Sequence, residues 1–200
     1  MKTYSYLALG DSYTIGEQVN LVQSFPYQTV HLLRKAGHNF CAPEIIAKTG
    51  WTTDELKHAI DETELLTTYD FVSLLVGVNN QYRGLSGDDF RGHLRCLLEW
   101  GLDRVDGLEN RLILLSIPDW SVTPFAEGRD RQMIRQEIDM YNFICQAEAE
   151  HFNVGFIDIT TAHRVDAHNE EFLADDKLHP SGLEYAKWAN QLFNKIIIEL

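Results

Sequence analysis

Five short apolar runs separated by longer stretches of helical period restrict most strongly what this 200-residue chain can fold into. The runs cover residues 4–9, 44–48, 70–76, 111–116 and 153–159, and the third and fourth are almost continuously apolar, as strands covered on both faces must be. Alternation of such runs with helical segments is the mark of repeated βα units around a parallel sheet. Between the runs, Ser24 stands where a cap belongs, with Pro26 in the first turn of a helix that ends near Gly37. Thr52 and Glu55 have capping-box spacing. Further helices fit residues 88–104, residues 129–151, and a last segment from about Ser181 to the end. The expected architecture is a doubly wound α/β domain spanning residues 1–200, with five parallel strands in the order 2-1-3-4-5 and helices on both faces. In such sheets ligands bind beyond the carboxyl ends of the strands, beside the first and third.

Composition narrows the partners. A hydrophobic share of 44% and a charged share of 24% suit one globular domain with a sizeable core. The formal charge of −13 disfavours nucleic acid and anionic membrane surfaces, which are gripped mainly by Lys and Arg, and favours a small neutral or cationic substrate. Cys41, Cys96 and Cys145 are odd in number and widely spaced, so they read as free thiols rather than a disulfide framework or a thiolate zinc site. Met1-Lys2-Thr3 runs straight into the first strand, and no apolar stretch is long enough to span a bilayer. The expectation is a cytoplasmic protein, unless an export segment has been exchanged for the initiating methionine.

Four patterns fall at the carboxyl ends of the expected strands. Gly10-Asp11-Ser12 follows the first, Gly50-Trp51 the second and Gly77-Val78-Asn79-Asn80 the third, while Asp176-Lys177-Leu178-His179-Pro180 follows the fifth by a long loop. Gly-Asp-Ser by itself reads as an ordinary turn, since these residues supply positive φ and local side-chain hydrogen bonds. A D-x-x-H pair is also weak evidence alone, although this one is unique in the chain. Together they cover the parts of an acyl-transfer centre, namely a hydroxyl nucleophile, an imidazole, a carboxylate to orient it and donors for an oxyanion. Serine needs a base to remove its proton, and imidazole titrates near neutrality. Asp176 and His179 lie three residues apart, so one local turn holds both.

These blocks, spread from Gly10 to Pro180, resemble those of the SGNH (GDSL) hydrolases. The resemblance implies a flavodoxin-like three-layer fold and a serine esterase or lipase that needs no metal or organic cofactor. It implies Ser12 as nucleophile, His179 as base then acid, and Asp176 as its orienter. It also implies an oxyanion hole made from the Ser12 and Gly50 N–H groups and the Asn79 side chain. Short-chain esters, lysophospholipids, thioesters and acetylated sugars are the implied substrates. One departure stands out: the family block reads G-x-N-D, and this chain has Asn80 in the fourth place. The absence of a G-x-S-x-G elbow points away from the α/β-hydrolases.

Other residues carry weaker signals. Tyr82, Arg83 and Trp120 fall in loops at the same rim and are expected to shape the substrate pocket. His163, Asp166 and His168 match no strong ligand spacing and read as a solvated loop after the fifth strand. Asp11 is assigned to hydrogen bonding within its turn rather than to the triad. The alternative reading is a non-catalytic signalling or ligand-binding domain with Asp11 as phosphoacceptor, but it lacks a lysine after the fifth strand. Nucleotide binding lacks both phosphate-loop motifs.

Overall fold

Burial of the apolar runs and parallel pairing between them generate a five-stranded main sheet in the computed structural model, which describes residues 2–200. The strands are β1 (Thr3–Tyr4), β2 (Tyr6–Gly10), β3 (Asn39–Phe40), β4 (Glu44–Ala47), β5 (Phe71–Leu75), β6 (Leu112–Leu115) and β7 (Gly155–Ile157). The main sheet has five strands in the order β4-β2-β5-β6-β7, which is the 2-1-3-4-5 order expected from the runs. Every residue of β2, β5 and β6 is buried, whereas the edge strands β4 and β7 are partly exposed. The helices are α1 (Ser12–Ile15), α2 (Phe25–Lys35), α3 (Thr53–Glu62), α4 (Val78–Tyr82), α5 (Gly87–Arg104), α6 (Arg131–His151), α7 (Thr160–Asp166) and α8 (Gly182–Ile197). α2 packs on α8, and α3, α5 and α6 pack together as a second group. None is long and apolar enough to cross a membrane among the described residues.

Register decides what the strand ends can do. Gly10 is level with Ala47 on one side and Leu75 on the other, so the first three strands stop at the same height. The chain leaves all three at one rim, where α1, the turn before α3, and α4 begin.

Some boundaries differ from the expected ones. The first run breaks at Ser5, whose N–H and hydroxyl both donate to Asp70 Oδ2, at 2.9 and 3.2 Å. Before the break, β1 pairs in parallel with β3 as a separate two-stranded sheet, and Tyr4 stacks on Phe40 at 5.1 Å between centroids. Ser24 does occupy the N-cap of α2, but its hydroxyl donates to the Leu21 carbonyl at 2.8 Å instead of accepting a helix N–H. The fifth run keeps only β7, because Asp158 accepts the Thr161 N–H at 3.0 Å and starts α7 where a solvated loop was expected.

Gly10 is where the sheet is least able to accept a side chain. A Cβ there would run into the Leu75 carbonyl oxygen and the Thr14 side chain. The carbonyl belongs to the neighbouring strand and cannot yield without opening the β2–β5 pair. Gly10→Ala is expected to lose at least about 2 kcal/mol of stability, as overpacking against backbone does. Urea unfolding reads this as a lower midpoint at unchanged m; a midpoint equal to that of the parent chain would contradict the close approach.

Candidate active site

Ser12 opens the four-residue helix α1, one residue beyond the end of β2 at Gly10. Asp11 caps that helix, its Oδ1 accepting the Tyr13 N–H at 3.0 Å. Ser12 is buried, and its hydroxyl meets His179 Nε2 at 2.9 Å across 167 residues of sequence. The Tyr13 ring lies against the imidazole with centroids 5.0 Å apart and backs onto Trp188 of α8.

The turn before α8 brings the carboxylate and the imidazole together. Asp176 Oδ2 lies 2.6 Å from His179 Nδ1, while its Oδ1 accepts the N–H groups of Leu178 and His179 at 3.0 and 2.9 Å. Lys177 takes a left-handed φ of +59° to close this turn. Ala174 N–H donates to the His179 carbonyl at 2.8 Å, so the loop is also pinned at its far end. Burial works to raise the Asp176 carboxyl, but the hydrogen bonds from the His179 ring and the two N–H groups outweigh it and hold the group below its ordinary value. A carboxylate in that position only accepts, so the imidazole hydrogen sits on Nδ1 and Nε2 is left to accept from Ser12.

On the opposite side of Ser12, the turn between β4 and α3 meets α4. Gly50 has φ +86° and sits in a turn closed by Trp51 N–H donating to the Lys48 carbonyl at 3.2 Å, the pattern of a type II turn with glycine in its third place. Asn79 Nδ2 donates to the Trp51 carbonyl at 3.0 Å and approaches Asp11 Oδ2 at 3.3 Å. Because a carbonyl can only accept, this contact fixes which end of the Asn79 amide is nitrogen. Among the described residues, no protein acceptor takes the N–H of Ser12 or of Gly50.

Asn80, the departure from the family pattern, is fully buried; its Oδ1 accepts the Thr53 N–H at 3.1 Å and its Nδ2 donates to Thr53 Oγ1 at 2.8 Å. A neutral amide thus docks α3 onto α4. Asp11 is fully buried too, and burial pushes its carboxyl up to about 7 against the pull of the Tyr13 N–H and the Asn79 amide. That burial closes it to a phosphodonor, which the signalling alternative needs.

A cavity of about 190 Å³ lies over Ser12. Gly50, Asn79 and His179 line it beside the serine, and Val78, Tyr82, Trp120, Phe125 and Leu178 form its walls. Tyr82 and Phe125 both meet Trp120 edge-on, with centroids 5.4 and 5.9 Å away. The indole N–H is used up on Gln81 Oε1 at 2.7 Å, so Trp120 turns only carbon toward the cavity. Tyr82 and Trp120 therefore lie where the sequence suggested. Arg83 does not line the cavity; it lies behind the glycine turn, where its Nη2 donates to the Gly50 carbonyl at 2.6 Å.

Phe125 and Leu178 escaped the sequence reading, although Leu178 precedes His179 and Phe125 shares the Trp120 loop. The His163, Asp166 and His168 grouping is not assembled. His163 is buried on α7 with Nδ1 3.6 Å from Glu184, while Asp166 pairs with Lys187 at 2.6 Å. Among the described residues, no group of three or more His, Cys, Asp or Glu side chains is placed to hold a metal ion.

Comparison with known proteins adds the family to this geometry. No curated protein matches the sequence significantly. Solved structures match throughout. A lipase/acylhydrolase from Enterococcus faecalis is 21% identical with a TM-score of 0.76, over 98% of this chain and 95% of that one. The acetylxylan esterase Axe2 from Geobacillus stearothermophilus is 22% identical with a TM-score of 0.76, over 96% and 94%. A putative lipolytic protein of the G-D-S-L family from Desulfitobacterium hafniense is 18% identical with a TM-score of 0.74, over 96% and 99%. At these identities the likeness shows a shared fold. The model of the GDSL-like Lipase/Acylhydrolase family matches residues 8–187, and the chain belongs to that family of esterases and lipases.

Proposed function

We propose that the chain is a serine esterase that cleaves uncharged carboxylic esters through an acyl-Ser12 intermediate. The observation that carries the reading is the hydrogen-bond chain Asp176–His179–Ser12, at 2.6 and 2.9 Å. In the first half-reaction, His179 Nε2 takes the hydroxyl proton as Ser12 Oγ bonds to the ester carbonyl carbon. The carbonyl oxygen becomes an oxyanion that accepts from the Ser12 and Gly50 N–H groups and from the Asn79 amide, which gives up its longer contact, that to Asp11 Oδ2 at 3.3 Å, to donate there. The tetrahedral adduct collapses, the ester C–O bond breaks, and the alcohol leaves with the proton from His179. Water then repeats the sequence on the acyl-serine and releases the acid. Asp176 keeps the imidazole in the required tautomer and balances its charge when it is protonated.

The lining favours one kind of acyl group. Apart from the reacting groups, the cavity offers carbon from Val78, Trp120, Phe125 and Leu178, its remaining lining residues Tyr13, Thr49 and Tyr82 are uncharged, and no Lys, Arg, Asp or Glu lines it. A charged acyl chain would lose its hydration there without a partner. A straight apolar chain longer than acetyl gains from burial, at about 0.8 kcal/mol per methylene.

Two measurements bear on these statements. Ser12→Ala, His179→Ala and the double variant are expected to lose turnover of an activated ester about equally, because the members of such a unit do not contribute independently. Losses that multiply in the double variant would break the assignment of the two residues to one machine. For a series of p-nitrophenyl esters from acetate to hexanoate, kcat/KM should rise about fourfold per added methylene until the cavity is full. Trp120→Ala and Phe125→Ala should flatten that rise. A preference for acetate, or for acetylated sugars over hexanoate, would contradict the apolar acyl site.

A further inference from the structure

The three donors assigned to the oxyanion are not equally well supported. Ser12 is buried at the start of α1, and the Asn79 amide is held between Trp51 and Asp11. Gly50 sits in a turn beyond the edge strand β4, where Lys48 and Thr49 are exposed. A Cβ built on Gly50 would have one neighbour within 4 Å outside its own turn, Nη2 of Arg83 at 3.8 Å. Thr49 is tied to Glu17 through its hydroxyl, so the near side of the turn has a tether of its own. On the far side Asn79 holds the Trp51 carbonyl, and Arg83 is the side chain that reaches the Gly50 carbonyl itself.

Arg83 is well placed to act as a strut. It is the C-cap of α4, with its N–H donating to the Asn79 carbonyl at 3.0 Å, so its backbone is fixed to the helix that carries the asparagine donor. Its guanidinium donates through Nη2 to the Gly50 carbonyl at 2.6 Å and through Nη1 to Glu55 Oε1 at 3.2 Å. Glu55 is itself anchored, because it accepts the Thr52 N–H at the start of α3 at 2.9 Å. That N–H bond, opposed by burial and joined by Arg83, keeps the Glu55 carboxyl below its ordinary value and ionised. Both terminal nitrogens are engaged, and Arg83 is not among the residues that line the substrate cavity. A lysine has no planar fork with which to hold a carbonyl and a carboxylate together.

We propose that Arg83 is a positioning residue for the oxyanion hole: by gripping the Gly50 carbonyl from the end of α4, it sets the location of the Gly50 N–H relative to the Asn79 amide. This rests on the reading that Gly50 donates to the oxyanion. Such a donor strengthens its bond only as charge develops, so misplacing it lowers kcat while substrate binding is kept. Arg83 is half-exposed, with a side-chain exposure of 46%, and it is not part of the hydrophobic core.

The test uses Arg83→Ala, Arg83→Lys and Ser12→Ala in the full chain, with p-nitrophenyl butyrate as substrate. Arg83→Ala should lower kcat about 10- to 100-fold, less than outright loss of an oxyanion donor. KM should stay within about twofold and Tm should be unchanged. Millimolar methylguanidinium should restore part of kcat in Arg83→Ala and do nothing to the parent chain, while Arg83→Lys should resemble Arg83→Ala. An Arg83→Ala kcat equal to the parent's would overturn the proposal. So would a rise in KM at constant kcat, which makes Arg83 a substrate contact, or a loss that methylguanidinium fails to lift, which makes it a merely structural brace. Ser12→Ala separates the two levels: turnover that survives in it removes the esterase reading itself, whatever Arg83 does.

Discussion

The level ending of three neighbouring parallel strands is the constraint on which the site depends. With Gly10 paired to both Ala47 and Leu75, the chain leaves β2, β4 and β5 within reach of one point in space. Parallel pairing then requires each strand to be followed by a crossover, so every departure from this rim is a short turn into a helix. Ser12, Gly50 and Asn79 occupy those departures. His179 comes from elsewhere in the chain and meets Ser12 from the loop that precedes α8. Gly10 lets the arrangement close, since a Cβ there would meet the Leu75 carbonyl.

Polar groups buried at the rim are mutually satisfied, and this gives the site its rigidity. Asp11 caps α1, the helix that Ser12 opens, and faces the asparagine amide, the asparagine holds the Trp51 carbonyl, and Asn80 holds Thr53. α4 is therefore fastened to residues 50–53 by several hydrogen bonds at once, a network in which each member fixes the rotamer of the next. Asn80 shows that this fastening does not require charge. Its carbonyl end accepts the Thr53 N–H as a carboxylate would, and its nitrogen takes the Thr53 hydroxyl oxygen as acceptor, so no ionised group has to be buried under α3.

Chain-local physics was legible in the sequence, and long-range partnership was not. β5 and β6 announce themselves because burial on both faces leaves no polar position to confuse the period, and Thr52 with Glu55 marks the start of α3 within four residues. Ser12, Asp176 and His179 could be singled out because their chemistry and order sit in short blocks. The break at Ser5 was hidden because its cause, Asp70, is 65 residues away. α7 was hidden because a helix of seven residues leaves almost no hydrophobic period. Arg83 was misplaced for a related reason. A long side chain after an asparagine block looks like a pocket residue until the fold shows that the carbonyl it reaches lies 33 residues back, behind the cavity.

The central claim is that Ser12 is a nucleophile activated by His179, and covalent labelling tests it most directly. Treatment with a fluorophosphonate, followed by intact-mass measurement and peptide mapping, should show one phosphonyl group per chain, located on Ser12. Labelling should be slowed by orders of magnitude in His179→Ala, which lacks the base. An adduct on another residue, or a fully labelled Ser12 in a chain that still turns over esters, would contradict the account.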